Sequence, residues 1–237
     1  MNKITCLLCL LFVVATYAQD ETNDDLVQLP EVVDSYFTFS ILSPIAFETP
    51  RYRFGYIRPI GKKWMVGLDA AYGDESITYK SINLKDNDDY RLYEFRAEVY
   101  YILPVKRKSI HYLSLEVGYV NHQETFFDNS YKDESTQKKV RYEQADYQRT
   151  RSAITLKYGA FYKLWGKFGV NPYYGIGIRQ RNNDYTNVIQ TPRQIDDFPG
   201  PDEDRDEFGF VEDYYRKEGT RLGINFQLGV KLYYQIE

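Results

Sequence analysis

Cysteine is almost missing from this chain of 237 residues: there are two, Cys6 and Cys9, both close to the start. The segment around them has a basic residue at Lys3, an apolar stretch from Ile4 through Ala15 and a small-residue exit at Thr16, Tyr17 and Ala18. That is the layout of a cleaved secretory signal, residues 1–18, too short to span a membrane as a helix. Cys9 comes too early for a lipoprotein cleavage box. Removal of the signal leaves no thiol, which excludes disulfides, a thiolate nucleophile and cysteine-bound metal. Histidine is as scarce, with only His111 and His122. Beyond Gln19 no apolar run approaches the ~20 residues of a membrane helix, and helical periodicity is poor. Basic excess is lacking too. The formal net charge of -4 becomes more negative when Lys3 leaves with the signal, which excludes a broadly basic nucleic-acid binder.

What the chain has is alternation. From Leu222 the even positions are Leu222, Ile224, Phe226, Leu228, Val230, Leu232, Tyr234 and Ile236, while the odd ones are polar or glycine apart from Tyr233. This is a strand with one oily and one wet face, longer than the usual five or six residues and long enough to cross a bilayer at a tilt. A mean hydropathy of -0.55 does not contradict that, because a barrel spreads its apolar residues over alternate positions. Aromatics make up 17% of the chain, and such residues favour strands and water–lipid boundaries.

The same pattern predicts eight strands, near 36–42, 51–60, 64–79, 90–103, 110–126, 149–165, 168–181 and 220–236. The second is the least regular, because Arg58 falls on its apolar side. Links after the second, fourth and sixth strands are tight. Those after the third, fifth and seventh are longer and polar. Short turns at one end and long loops at the other are the pattern of an outer-membrane barrel, with the short turns periplasmic. The predicted fold is an all-β, eight-stranded antiparallel up-and-down transmembrane β-barrel over residues 35–237, preceded by a periplasmic lead-in at 19–34. Trp64, Trp165, Tyr101, Phe168 and Tyr234 gather at the short-turn end as an aromatic girdle.

The rival is a soluble lipocalin-like carrier with the apolar face turned inward around a ligand. Glycine argues against it. Gly67, Gly159, Gly175, Gly177 and Gly229 fall on the polar face, where a narrow lumen needs small residues and a solvated strand is weakened by them. On these grounds the chain resembles the small eight-stranded OmpA/OmpX-like barrels of Gram-negative outer membranes. Its closing run, with Gln227, Gly229, Leu232 and Tyr234, resembles their assembly signal, although Gln235, Ile236 and Glu237 follow where an aromatic residue normally ends the chain. The resemblance implies outer-membrane lipid, lipopolysaccharide and the barrel-assembly machinery as partners. The resemblance stops at the barrel, so a cell-wall tether through a peptidoglycan-binding domain is not expected.

Charges of inward parity are mixed: Arg53, Asp69, Glu94, Arg96, Glu98, Glu116, Lys157, Lys163, Arg179, Arg221 and Lys231. Buried charges must be paired, so these are expected to form an ion-pair network filling the lumen, against the alternative of a narrow polar pore. In the last loop Asp202, Asp204, Asp206 and Asp213 echo a calcium loop, but Glu207 stands where the sharp turn needs glycine. A solvated acidic loop is the simpler reading. His111 falls at the short-turn end as an interfacial residue. His122 falls near the loop end with Glu124, Asp128 and Ser130, and without a nucleophile motif it is expected to be a hydrogen-bonding residue rather than the base of a lipid-active enzyme. Tyr131, Tyr142, Tyr147, Tyr185, Tyr214 and Tyr215 give the loops the composition of a contact surface for an extracellular partner. The expectation is thus a non-enzymatic outer-membrane protein without cofactor, with an envelope-structural or surface-interaction role.

Overall fold

The computed structural model describes residues 34–46, 49–76, 87–104, 109–136, 139–190 and 217–236. Their strands are β1 (Ser35–Ser40), β2 (Tyr52–Pro59), β3 (Trp64–Asp74), β4 (Asn87–Ile102), β5 (Ile110–Lys132), β6 (Lys139–Trp165), β7 (Phe168–Gln190) and β8 (Gly219–Ile236). Each pairs antiparallel with the next, and β1 pairs with β8 to close the barrel. Direct partners run from Leu222 through Gln180, Ser152, Tyr119, Phe95, Ala70 and Phe54 to Phe39, which faces Leu232 rather than Leu222. That stagger corresponds to strands tilted by about 40° in an eight-stranded barrel.

The alternation resolves as the sequence leads one to expect. Phe37, Phe54, Leu68, Phe95, Leu115, Leu156, Ile176 and Phe226 point outward and are exposed, forming an apolar belt around the barrel. The lipocalin arrangement, with this face inside, is not the one adopted. Arg58 also lies outward and exposed, next to the β2–β3 turn. Inside, several tyrosine rings lie over glycines of the neighbouring strand: a Cβ at Gly159 would sit 2.4 Å from the hydroxyl of its partner Tyr112.

The strands differ most from expectation at the long-loop end. β1 and β3 stop earlier, at Ser40 and Asp74, with 77–79 outside the described residues. β5, β6 and β7 run well past 126, 149 and 181. Their outward side chains change character above Tyr119, Ile154 and Ile178, becoming Asn121, Gln123, Ser152, Thr150, Gln180 and Asn182. A polar three-stranded sheet therefore stands above the belt. Its own core consists of Phe126, Tyr131, Tyr142, Ala145, Tyr147 and Tyr185, with Tyr131 and Tyr185 stacked at 4.1 Å. Four of the tyrosines expected to form a contact surface are thus buried against one another, because the sheet needs an apolar side of its own once it leaves the barrel. Tyr214 and Tyr215 lie outside the described residues.

Candidate functional site

The barrel interior holds the concentrated chemistry, arranged in layers. At the short-turn end Tyr36, Ile57, Met65, Tyr100, Ile102, Tyr112, Phe161 and Tyr233 form an apolar plug. Tyr36 stacks on Phe161 at 5.0 Å, and Tyr100 meets Tyr112 edge-on at 5.0 Å. The hydroxyls of this layer turn toward polar groups: Tyr112 donates to Asn171 at 2.7 Å and Tyr100 to Glu98 at 2.7 Å.

Above the plug, Asp69, Glu98 and Glu116 bring carboxylate oxygens within 4.8 Å of one another, all buried. Such a cluster has the donor chemistry for a hard cation. Two ammonium groups already supply the positive charge. Lys157 Nζ lies 2.7 Å from Glu98 and 2.6 Å from Glu116. Lys231 Nζ lies 2.6 Å from Asp69 and 3.8 Å from Glu98. Ser114 and Gln227 donate further bonds to Glu98 and Glu116. Arg96 then links this layer upward, donating to Glu116 and to Glu94 at 2.6 Å each. Glu94 also takes Arg53 at 2.9 Å and Arg51 from the segment before β2. Every buried carboxylate of these layers has at least one cationic partner, which is the condition under which buried charge is tolerated.

Eight of the charges picked out by parity, Arg53, Asp69, Glu94, Arg96, Glu98, Glu116, Lys157 and Lys231, therefore meet in one network. Arg179 is half-buried, and Arg221 and Lys163 are exposed. Arg221 and Lys163 correct the expectation: parity fixes a side chain's face, but both lie near strand ends, where the interior opens to solvent, whereas Arg179 lies midway along β7. Gln227 joins the network, Gly229 packs beneath Tyr173, and Leu232 and Tyr234 face outward. Asp202, Asp204, Asp206 and Asp213 lie outside the described residues. Sequence reasoning missed the apolar plug, although Ile57, Met65, Tyr100, Tyr112, Phe161 and Tyr233 all sit at inward positions of their strands. It also missed Arg51 and Arg149, the latter sharing its parity with Lys157.

His122 is fully buried in the upper lumen, 3.2 Å from Glu124 and packed against the rings of Tyr90 and Tyr147. His111 is buried as well, and not simply interfacial: it packs against Tyr158 and Tyr162 on the outer side of the sheet, with Nδ1 2.7 Å from the Tyr158 hydroxyl. His122 lies above Tyr119, beyond which the next outward residues of β5 are Asn121 and Gln123. Burial, opposed by Glu124, brings its pKa down from the ordinary 6.5 to about 4. An unfolded chain binds this proton as the pH falls below 6.5, whereas the folded chain does so only near 4, so stability is lost on acidification across that window. Urea unfolding in detergent between pH 7 and pH 4.5 should show a component of at most about 1.4 kcal/mol per pH unit that His122→Gln removes.

Comparison of the chain with protein-family models, with curated proteins and with solved structures finds no match in any of the three.

Proposed function

We propose that the chain is an outer-membrane β-barrel protein with a sealed interior, serving the envelope structurally and carrying a stiff polar sheet into the space outside. One observation carries this reading: the large apolar side chains face outward in a belt around the barrel while the buried charges face inward, an arrangement that is costly in water and favourable in lipid. The aromatic plug and the ion-pair layers favour a closed barrel over a narrow channel, since both fill the space through which a solute would pass. The role is non-enzymatic on this reading, with His122 and Glu124 acting as packing and hydrogen-bonding residues of the rim.

The test is gel mobility of detergent-purified protein, unboiled against boiled, with circular dichroism and planar-bilayer recording on the same preparation. A heat-dependent shift, a β-rich spectrum and no resolvable single-channel current are expected. A chain that stays soluble without detergent would overturn the membrane reading, and steady discrete conductance would overturn the sealed interior.

A further inference from the structure

The barrel wall is uneven in height. β1 pairs with β8 only as far as Ser40 opposite Lys231, and the backbone NH of Ile41 makes one more bond to Val230. β8 continues upward to Gly219, held on its other side by β7. From Thr220 to Gly229 the β1-facing edge of β8 meets no strand among the described residues. Leu222, Ile224 and Phe226 in this stretch are exposed apolar residues of the belt. Among the described residues the wall thus has a lateral notch that begins within the belt and rises to its upper edge.

Inside the notch lies a row of arginines. Arg151, Arg181 and Arg221 are direct cross-strand partners on β6, β7 and β8, and Arg179 follows two residues below Arg181. All four share the inward parity of Lys157, Asn171 and Lys231. Arg151, Arg179 and Arg181 are half-buried and Arg221 is exposed, so solvent reaches the row. Beneath it Gly223, paired with Arg179, leaves the floor open: the nearest atom a Cβ would meet there is Arg179 Nε at 3.7 Å. Arg151 also donates to Asn225 at 2.8 Å, which steadies one member of the row. Arg221 adjoins Leu222, the uppermost apolar side chain of β8, so the row stands at the top of the belt.

We propose that this row and notch bind an anionic lipid, with the phosphate held by Arg151, Arg181 and Arg221 and an acyl chain leaving through the missing wall onto Leu222 and Ile224. The proposal rests on the bilayer reading and deepens it. Guanidinium groups suit phosphate because their planar forks donate paired hydrogen bonds. Three of them side by side at head-group depth, next to an apolar exit, match a head and a tail together. A free anion would use only the first.

The full chain, folded in a zwitterionic detergent, would be titrated with dioleoyl phosphatidic acid, dioleoyl phosphatidylcholine and inorganic phosphate, and bound lipid counted by native mass spectrometry. Phosphatidic acid should be held about tenfold more tightly than phosphatidylcholine, the scale of a charge-assisted clamp. The combined Arg151→Gln, Arg181→Gln and Arg221→Gln variant should lose the preference. Gly223→Phe, which fills the floor without changing charge, should lower lipid binding while keeping the heat-dependent mobility shift.

Equal retention of both lipids, or a preference untouched by these variants, would overturn the proposal while a normal heat shift left the bilayer reading standing. Displacement of the lipid by inorganic phosphate at matched concentration would remove the acyl exit from the account and overturn it as a lipid site. Binding seen only after Asp202, Glu203, Asp204 and Asp206 are replaced by Asn or Gln would mean that the chain's own acids fill the row, and would overturn it too. A chain soluble without detergent would remove the bilayer reading and this proposal with it.

Discussion

Arginine in place of Leu68 is expected to destabilise the folded protein in a bilayer by about 2–4 kcal/mol, the range for a lipid-facing cation near mid-depth. Leu68 lies midway along the outward face of β3 between Trp64 and Tyr72 and is 68% exposed. In water the same change would add a solvated charge to an exposed strand and cost almost nothing, as surface substitutions generally do. The two environments thus predict different results for one substitution. Reversible urea unfolding of the wild type and Leu68→Arg in phosphatidylcholine vesicles gives the measurement. A difference within about 0.5 kcal/mol would sink the lipid-facing assignment of the belt.

Removal of the Lys157 ammonium should be at least as damaging, for the opposite reason. Lys157→Met takes away the cation between Glu98 and Glu116, leaving Lys231 and Arg96 to face three clustered carboxylates. Breaking one side of a buried ion pair costs about 3–5 kcal/mol, because the charge left behind has lost its compensation. Adding Glu98→Gln should restore a substantial part of the loss. It removes the stranded charge, and its one amide oxygen can still accept from either Tyr100 or Ser114, which now donate to separate oxygens of Glu98. A double-mutant cycle in the same unfolding assay reads the coupling. Additive losses would mean that the two groups act independently and that the layer is not a single network.

The side each strand turns outward or to the lumen was legible because a pleated strand carries it in plain alternation, as from Leu222 to Tyr234. The charge network followed from the same parity: Asp69, Glu98, Glu116, Lys157 and Lys231 come from five strands yet share the inward face. Height was not legible. Nothing in the parity of Arg221 or Lys163 says that the wall has ended beside them, since strand length depends on what pairs opposite. The extension of β5, β6 and β7 was hidden for a related reason. Above Tyr119 both faces carry polar residues among tyrosines, so the hydrophobic contrast fades although the hydrogen-bonded ladder continues. The plug was masked by tyrosine itself, whose ring buries well while its hydroxyl satisfies a polar partner, as Tyr112 does with Asn171.

The stagger that carries Phe39 to Leu232 has a kinetic consequence. Neighbouring hairpins such as β5–β6 join residues close in sequence and can form early, whereas the β1–β8 seam joins the two ends of the described chain through a short run of pairs. Lys231 finds Asp69 only when that seam shuts, and a separation of 162 residues makes it one of the last contacts available. An open-seamed intermediate would hold carboxylates still short of one of their cations. Closure relieves that imbalance, so the same ammonium that neutralises the finished lumen also acts as a latch, favouring the shut cylinder over every partly rolled sheet that precedes it.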